Sequence, residues 1–523
     1  MTRAPEGGGA DAAADNGTSG RAAPVWIRLA AGPLLALLVY ALLADSTQGP
    51  SALRPEGRAT AAIAVLMATW WVTEALPLAA TALLPVALFP LCHVASVRDA
   101  AAPYAHELIF LFLGGFLLAQ AVERWGLHRR LALWTVLGVG TQPARLVAGF
   151  MLASAFVSMW ISNTATAVMM LPIAVSVMGL APSDSDAESK APPLNFRGRT
   201  QRQNFGTCLM LGIAYGASIG GMATLIGSPP NAFLAGFLAS NHGIEIGFGS
   251  WMRIGLPVAV VLLPLAWLAL TRVLYPPPRA DLVGGRQVIR NALLRLGALS
   301  RGEKTVGVVF GVTALLWITH QPLSGWGVLH DAFPAIENLS DAGIAILGAL
   351  VLFAIPVHPR RRVFALDWKS AQRLPWGTLL LFGGGLSLAH AFRVSELDLW
   401  IAGPARLLAQ QPLALLVGVV VILIVFFTEL SSNTATAATF LPVLSGVALG
   451  VGVHPTVLVV PATLAASCAF MMPVATPPNA IVFGSGRVRI GQMVRAGLLL
   501  NLVSIVLINI AAHTLVVWVL GAR

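Results

Sequence analysis

Charged side chains are scarce in this chain of 523 residues, because Asp, Glu, Lys and Arg together account for only 11% of it. Soluble globular proteins carry about 25% charged residues, and a soluble chain of this length would form about three domains. Hydrophobic residues instead make up 57% of the chain. This composition excludes a soluble enzyme, a secreted protein and a disordered scaffold, and it indicates an integral membrane protein.

Cysteine is also rare. Cys92, Cys208 and Cys468 are isolated in apolar stretches, and no CxxC or zinc-type spacing occurs. Three separated thiols cannot form the disulfide framework that is typical of small secreted proteins. A cysteine-built metal site is excluded for the same reason.

Acidic residues are fewer than basic ones, 22 against 33, which gives a net charge of +11. The basic residues cluster in short loops between apolar segments, where cytoplasmic loops of membrane proteins carry them. They do not form a basic face with interleaved aromatic residues, as single-strand binding would require. The charge therefore predicts contact with a lipid bilayer and no nucleic-acid partner.

The amino-terminal residues differ from the rest in composition. Residues 1–24 are rich in Gly, Ala and Asp without periodicity, which predicts a disordered cytoplasmic tail. The apolar run 25–44 is long enough to cross about 30 Å of hydrocarbon. We therefore expect it to be retained as a first helix rather than cleaved as a signal peptide.

Apolar stretches of spanning length recur along the chain and predict eleven transmembrane helices. They lie at 25–44, 58–75, 77–93, 105–123, 204–226 (continuing to 239), 252–274, 304–320, 342–357, 375–393, 455–483 (interrupted) and 494–519. Two further apolar regions, 145–180 and 412–450, are too long for one span, and a Ser-Asn-Thr interrupts each. These two regions are predicted to be re-entrant hairpins.

Loop charges orient these segments. Residues 321–341 contain three acidic residues and no Lys or Arg, whereas arginines occupy 360–362 in the next loop. The first is therefore predicted to be external and the second cytoplasmic. Basic segments flank 145–180 on both sides, so this hairpin enters from the cytoplasm, and 412–450 enters from outside. The amino terminus is then cytoplasmic and the carboxyl terminus external, and only the mildly basic loop 45–57 disagrees.

The chain contains an internal repeat. Residues 111–121 match 381–391 at seven of eleven positions, and 162–172 match 432–442 at eight of eleven, both at an offset of 270. The sequence PPNA occurs at 229–232 and again at 477–480, at an offset of 248. Each copy holds five spans and one hairpin, and because five is odd the copies must be inverted. Inverted repeats with broken segments are typical of secondary transporters.

The repeat defines the domain organisation. The first copy covers 58–274, the inverted second copy covers 304–519, and the helix 25–44 lies outside both. The intervening 275–303 is predicted to be a cytoplasmic amphipathic linker. Its residues 284–304 place Val288, Leu293, Leu296 and Leu299 among arginines, which predicts an amphipathic helix at the membrane surface.

We expect ligands to bind where these apolar segments are interrupted. Non-helical backbone at membrane depth costs several kcal/mol for each unpaired group unless protein or a water-filled cavity satisfies it. Carbonyl oxygens before a break can ligate a hard cation such as Na⁺, and the N–H groups that open the next half-helix can hold a carboxylate. Two such places related by the repeat suit a small molecule with two negative groups.

These motifs resemble those of the divalent anion–sodium symporter family. The resemblance is carried by SMWISNTATA at 158–167, the second SNT at 432–434, GSPPN at 227–231 and ATPPNAIVFGSG at 475–486, and it extends over the chain after residue 25. It implies an all-α, homodimeric elevator-type transporter of di- or tricarboxylates, or of sulfate in some members. Na⁺ is the co-transported ion in most members, and no organic cofactor is expected.

The resemblance also implies site residues. The first Na⁺ site would use Ser158, Asn163 and the Gly227 carbonyl, and the second Thr428, Ser431, Asn433 and the Ala475 carbonyl. The substrate would contact Ser162, Asn163, Thr164 and Ser228 from the first half, with Ser432, Asn433, Thr434, Thr476 and Pro477 from the second. No catalytic residues are expected.

One motif suggests an enzyme instead of a transporter. Residues 216–220 match G-x-S-x-G, the nucleophile motif of hydrolases, but that motif requires a strand–turn–helix context. Here it lies in an apolar helix, where small residues favour close helix packing.

Glu429 and Glu74 are acids near or within membrane segments and are candidates for proton transfer. The preferred interpretation is that Glu429 orients the hairpin through hydrogen bonds and that Glu74 lies at an interface.

The sequence thus predicts a symporter that couples inward Na⁺ movement to uptake of a small dicarboxylate such as succinate, malate or fumarate. An H⁺-coupled or exchanging carboxylate carrier, a sulfate or citrate carrier of the same fold, and an anion channel remain as alternatives. A channel needs a continuous lined pore, whereas this chain has two closed hairpins.

Overall fold

We describe a computed structural model of the chain for residues 24–43, 53–140, 142–179, 201–280, 284–324 and 339–521. The predicted tail therefore lies outside the described residues, except for Pro24. The same holds for most of the acidic loop 321–341 and for residues 45–52 of the mildly basic loop. The orientation derived from those loops stays a prediction.

The described chain is almost entirely helical. Its α-helices are Val25–Leu42, Pro55–Thr73, Leu78–Thr81, Leu84–Leu91, Val97–Ala101, Glu107–Trp125, Leu127–Val139, Pro143–Ser158, Asn163–Met178, Gln201–Gly221, Pro229–His242, Phe248–Leu268, Gly285–Arg295, Arg301–Ser324, Asp341–Ala354, Trp368–Ala371, Trp376–Val394, Leu397–Ala405, Leu413–Thr428, Asn433–Val451, Thr456–Ala466, Pro477–Gly484, Ile490–Ala511 and Val517–Leu520. Two short strands, Pro356–His358 and Val363–Phe364, pair antiparallel.

Many of these helices are long and apolar enough to cross a bilayer, which confirms a polytopic all-α membrane protein. Within the described residues seven qualify, namely Val25–Leu42, Val97–Trp125, Phe248–Leu274, Arg301–His320, Trp376–Val394, Asn433–Val451 and Ile490–Leu520. Shorter apolar helices accompany them, so the count of eleven spans stays a prediction. The predicted span 77–93 is not one continuous helix. One helix ends at Thr81 and the next begins at Leu84, because the ring of Pro85 is incompatible with the preceding helical turn.

The predicted interruptions are present. We call Pro143–Ser158 with Asn163–Met178 the first hairpin, and Leu413–Thr428 with Asn433–Val451 the second hairpin. The first broken helix consists of Gln201–Gly221 and Pro229–His242, and the second of Thr456–Ala466 and Pro477–Gly484. In both broken helices two prolines open the second half, where a missing N–H costs no intrahelical bond.

The first broken helix lies at the centre of the described fold. Nearly all of residues 204–228 are buried, and Gln201–Gly221 packs against both helices of the first hairpin. A Cβ at Gly216 or Gly220 would lie only 2.6 or 2.1 Å from the carbonyl oxygen of Met151 or Ala155. The G-x-S-x-G stretch therefore permits two helix backbones to approach closely, and it sits in no strand–turn–helix context.

Two helices were missed by the sequence analysis. Leu127–Val139 and Leu397–Ala405 begin at the repeat offset of 270 and each precedes a hairpin. They contain 13 and 9 residues, which is too short to span a bilayer. Their presence at equivalent positions adds to the support for a duplicated architecture.

The linker helix is shorter than predicted. It covers Gly285–Arg295, with Ile289 rather than Leu299 as its buried apolar residue. The helix ends because Gly297 adopts a left-handed conformation, with φ of 67°. Leu299 lies beyond that turn and is exposed.

A buried ion pair fixes the end of this linker. The Arg130 guanidinium lies 2.7 Å from the Glu303 carboxylate and donates to the Gly297 carbonyl at 2.9 Å. The side chains of Arg130 and Glu303 are only 5% and 6% exposed. The pair thus joins Leu127–Val139, the linker and the start of Arg301–Ser324.

Substitution of Arg130 tests this connection. Because removal of one partner leaves a buried charge uncompensated, Arg130→Met should lower the unfolding free energy by about 3–5 kcal/mol. The neighbouring Arg129 is exposed, so Arg129→Met is the matched control and should have little effect. The measurement is denaturant unfolding of the purified protein in detergent micelles. Equal stability of the two variants would contradict the assignment.

Candidate binding site at the helix breaks

The first predicted Na⁺ site is assembled from the first hairpin and the first broken helix. Ser158 Oγ donates a hydrogen bond to Asn163 Oδ1 across the hairpin tip. A Cβ on Gly221 would lie 2.7 Å from Asn163 Oδ1 and 3.0 Å from the Gly227 carbonyl oxygen. The oxygens of Ser158, Asn163 and Gly227 therefore converge beside the Cα of Gly221.

The second predicted site repeats the side-chain contact across the hairpin tip. Thr428 Oγ1, at the repeat position of Ser158, lies 2.9 Å from Asn433 Oδ1 and 2.8 Å from the Ala466 carbonyl oxygen. Ser431 Oγ is buried with no hydrogen-bond partner among the described residues. Ala475 is buried in the segment between the two halves of the second broken helix. A buried hydroxyl without a partner costs about 1–3 kcal/mol, and a cation ligated there would remove that cost.

The chemistry of both clusters fits an alkali cation. Their ligands are hydroxyl, amide and carbonyl oxygens, which suit hard cations rather than soft or transition metals. Among the residues that the structure describes, no group of three or more His, Cys, Asp or Glu side chains could hold a metal. The residues present therefore fit Na⁺ as cargo.

The predicted substrate residues differ in their exposure to solvent. Ser162, Thr164 and Pro477 are exposed, whereas Asn163, Ser432 and Asn433 are half-buried. The buried group is Ser228, Thr434 and Thr476. The exposed residues therefore lie at the first hairpin tip and at the start of Pro477–Gly484, whereas the residue that precedes each proline pair is buried.

Helix amino termini face this region. Ser162 caps Asn163–Met178 by accepting the Ala165 N–H at 3.2 Å. Thr476 caps Pro477–Gly484 by accepting the Asn479 N–H at 3.3 Å. Both hydroxyls keep a proton that can be donated to an anion, and the helix termini add a favourable dipole.

The two halves of the chain meet at the breaks. Asn163–Met178 packs against Pro477–Gly484, and Pro229–His242 packs against Asn433–Val451. Ser228 Oγ lies 3.4 Å from Ser467 Oγ, which joins the two broken helices. Residues from both repeats therefore contribute to one central region.

Asn231 and Asn479 organise the breaks and were missed as site residues. Asn231 Nδ2 donates to the carbonyls of Gly221 and Thr224 at 3.1 and 2.8 Å. Asn479 Nδ2 donates to the carbonyls of Ala469 and Met472, both at 3.0 Å. Asn231, Gly221 and Thr224 correspond to Asn479, Ala469 and Met472 at the repeat offset of 248. The repeated PPNA was the available signal, but the sequence alone gave its asparagine no role.

Glu429 is a second organiser, present in one half alone. Its carboxylate accepts the N–H groups of Phe470, Met471 and Met472 at 2.7–2.9 Å and the Asn501 amide at 2.7 Å. It joins the second hairpin to the break of the second broken helix. Four donors around one buried carboxylate are the arrangement expected of a positioning role.

The helical fold and the paired breaks define the class of this protein as a multi-pass membrane transporter. The family description "Sodium:sulfate symporter transmembrane region" matches residues 29–521. The chain is 41% identical over 496 residues to the sodium-dependent dicarboxylate transporter SdcS of Staphylococcus saprophyticus, covering 95% of this chain and 92% of that protein. The SdcS of a bovine strain of Staphylococcus aureus is 41% identical over 506 residues with the same coverage. The chain belongs to the divalent anion–sodium symporter family and is a transporter, not an enzyme.

Solved structures of distant proteins share the fold. The transporter MtrF of Neisseria gonorrhoeae superposes with a TM-score of 0.57 at 13% identity, over 94% of each chain. The YdaH transporter of Alcanivorax borkumensis gives a TM-score of 0.54 at 18% identity, over 78% of this chain and 85% of that one. This similarity confirms the predicted all-α transporter fold.

Gly221 provides a direct test of the first cation site. Gly221→Ala places a methyl group where the Asn163 and Gly227 oxygens converge, so it should weaken Na⁺ binding at least about tenfold, or about 1.4 kcal/mol. The measurement is the Na⁺ concentration that half-maximally raises the melting temperature of the purified protein, with K⁺ as the reference salt. Gly138→Ala is the control, because a Cβ there meets no atom within 4 Å. Unchanged Na⁺ affinity in Gly221→Ala would refute the site.

Proposed function

We propose that this protein is a secondary active symporter that couples inward Na⁺ movement to uptake of a small C4 dicarboxylate such as succinate, malate or fumarate. The observation that carries the proposal is the pair of neutral oxygen clusters, Ser158–Asn163–Gly227 and Thr428–Asn433, each beside a helix break. Support comes from the two SdcS relatives, which are named sodium-dependent dicarboxylate transporters.

The charge balance of the pocket explains coupling. None of the proposed ligands is a Lys, Arg or His, so a dianion alone would enter a region of low dielectric without compensation. Bound Na⁺ supplies the missing positive charge and orders the hairpin tips before the substrate arrives. Substrate binding then depends on prior cation binding.

Two helix amino termini divide the substrate between the repeats. One carboxylate would be held by Ser162, Asn163, Thr164 and Ser228, and the other by their counterparts in the second half. Those counterparts are Ser432, Asn433, Thr434 and Thr476, and Pro477 would contact the substrate beside Thr476. Each carboxylate meets hydroxyl or amide donors and the positive end of a half-helix.

The repeated hairpins and broken helices also suggest how the protein moves its substrate across the membrane. The two hairpins and two broken helices would form a mobile domain that slides against a scaffold in a homodimer. Their packing against one another at the breaks supports a common rigid unit. The amino terminus would be cytoplasmic, the carboxyl terminus external, and the membrane the plasma membrane.

Transport into proteoliposomes tests the function. Radiolabelled succinate should accumulate when a Na⁺ gradient is imposed, and K⁺ or pH gradients alone should have no effect. Unlabelled citrate and sulfate serve as competitors, and weak competition by both is expected. Uptake that follows the pH gradient without Na⁺ would instead support the H⁺-coupled carrier, and flux without saturation would support a channel.

Asn163 and Asn433 test the site within that assay. Asn163→Ala or Asn433→Ala removes the amide shared by the cation and substrate clusters, so Na⁺-dependent uptake should fall below about 1% of wild type, a loss of about 2.7 kcal/mol. Asn291→Ala, on the linker helix, is the matched control and should transport normally. Size-exclusion chromatography checks that all three variants remain folded. Undiminished uptake in either site variant would refute the assignment.

Glu429 separates a positioning role from proton transfer. Glu429→Gln keeps one carbonyl acceptor but cannot carry a proton, so Na⁺-driven uptake should persist at a reduced rate with an unchanged pH profile. Glu429→Met, which installs the residue found at position 159, removes every acceptor and should weaken Na⁺ affinity. Uptake by Glu429→Gln that no longer changes with pH, where wild-type uptake does, would favour the proton-coupled alternative.

A further inference from the structure

A groove with a volume of about 600 Å³ lies between helices of the two repeats, apart from the proposed site. Its walls come from Phe248–Leu268, from Arg301–Ser324 and from the carboxyl-terminal segment around Leu515 and Trp518. All three walls belong to segments long and apolar enough to cross a membrane. Because its walls are membrane-spanning segments and Trp518 is exposed, we expect the groove to open toward lipid.

One charged side chain lines this groove among apolar residues. The other lining residues are Gly249, Met252, Leu256, Pro257, Ile318 and the two named above, so Arg253 is the single described charge. Arg253 is exposed and donates to Ser250 Oγ at 3.1 Å. No described acidic side chain forms an ion pair with it. The guanidinium thus keeps most of its donors available for a ligand.

Three of the residues that line the groove lie near the ends of their helical segments. Arg253 lies near the start of Phe248–Leu268, and Ile318 and Trp518 lie near the ends of their own segments. Trp518 is 71% exposed, as expected of an aromatic residue at the level of lipid headgroups. A long arginine side chain at this depth can reach the same level.

We propose that this groove binds one anionic phospholipid. Its phosphodiester would accept hydrogen bonds from the Arg253 guanidinium, whose planar geometry matches a phosphate. One acyl chain would lie along Leu256, Pro257 and Leu515. The volume falls within the range of specific small-molecule sites, about 300–1,000 Å³. This binding does not depend on the proposed transport function.

Native mass spectrometry of the full-length protein tests the proposal. The purified protein is equilibrated in nanodiscs that contain phosphatidylcholine with a minor fraction of phosphatidylglycerol. We expect one phosphatidylglycerol per chain to be retained above its share of the bilayer. Arg253→Gln should lower that retention about tenfold, whereas Arg406→Gln, an exposed arginine outside the groove, should not.

A second variant tests the apolar part of the groove. Leu515→Trp fills the groove and keeps Arg253, so it should also displace the bound lipid, and a monodisperse elution profile shows that it is folded. Equal retention of both lipids by wild type, or unchanged retention in both groove variants, would overturn the proposal. So would a protein–protein contact at this face, seen as dimer content that falls in Leu515→Trp while lipid retention stays constant.

Discussion

The structure depends on one constraint, which is that backbone polar groups left unpaired at membrane depth must be satisfied. Each helix break leaves carbonyl and N–H groups without intrahelical partners, at a cost of several kcal/mol for each group that neither protein nor water satisfies. The protein satisfies part of this requirement with its own side chains, since Asn231 and Asn479 donate to break carbonyls and Glu429 accepts three backbone N–H groups. The groups that remain are the ones that we propose bind cations and an anion.

The repeat supplies the site twice, but the copies are not equivalent. The Ser158–Asn163 contact recurs as Thr428–Asn433, which is the shared element. Glu429 replaces Met159, and Ala469 replaces Gly221, whose missing Cβ leaves room beside Asn163. The second half therefore has a negative charge that the first lacks, and the first has a more open backbone. We expect two cation sites of unequal affinity.

Most of the fold and the positions of the helix breaks could be predicted from the sequence, because the signals involved are local. Apolar length predicts membrane helices, and SNT and PPN mark breaks at fixed offsets. The helices Leu127–Val139 and Leu397–Ala405 could not be predicted in this way, because they are short and carry charges. Contacts between distant segments, such as Glu429 with Phe470–Met472 or Arg130 with Glu303, leave no spacing signal. The end of the linker helix depends on the conformation of Gly297, which composition does not reveal.

We propose that cations and a dianion share one pocket built from both repeats, and that the dianion binds only where cations are already bound. Isothermal titration of the purified protein with succinate, at a series of Na⁺ concentrations replaced by choline at constant ionic strength, tests it most directly. We expect the succinate affinity to rise steeply with Na⁺ and binding to be undetectable in choline. Succinate binding of equal affinity with and without Na⁺ would contradict it.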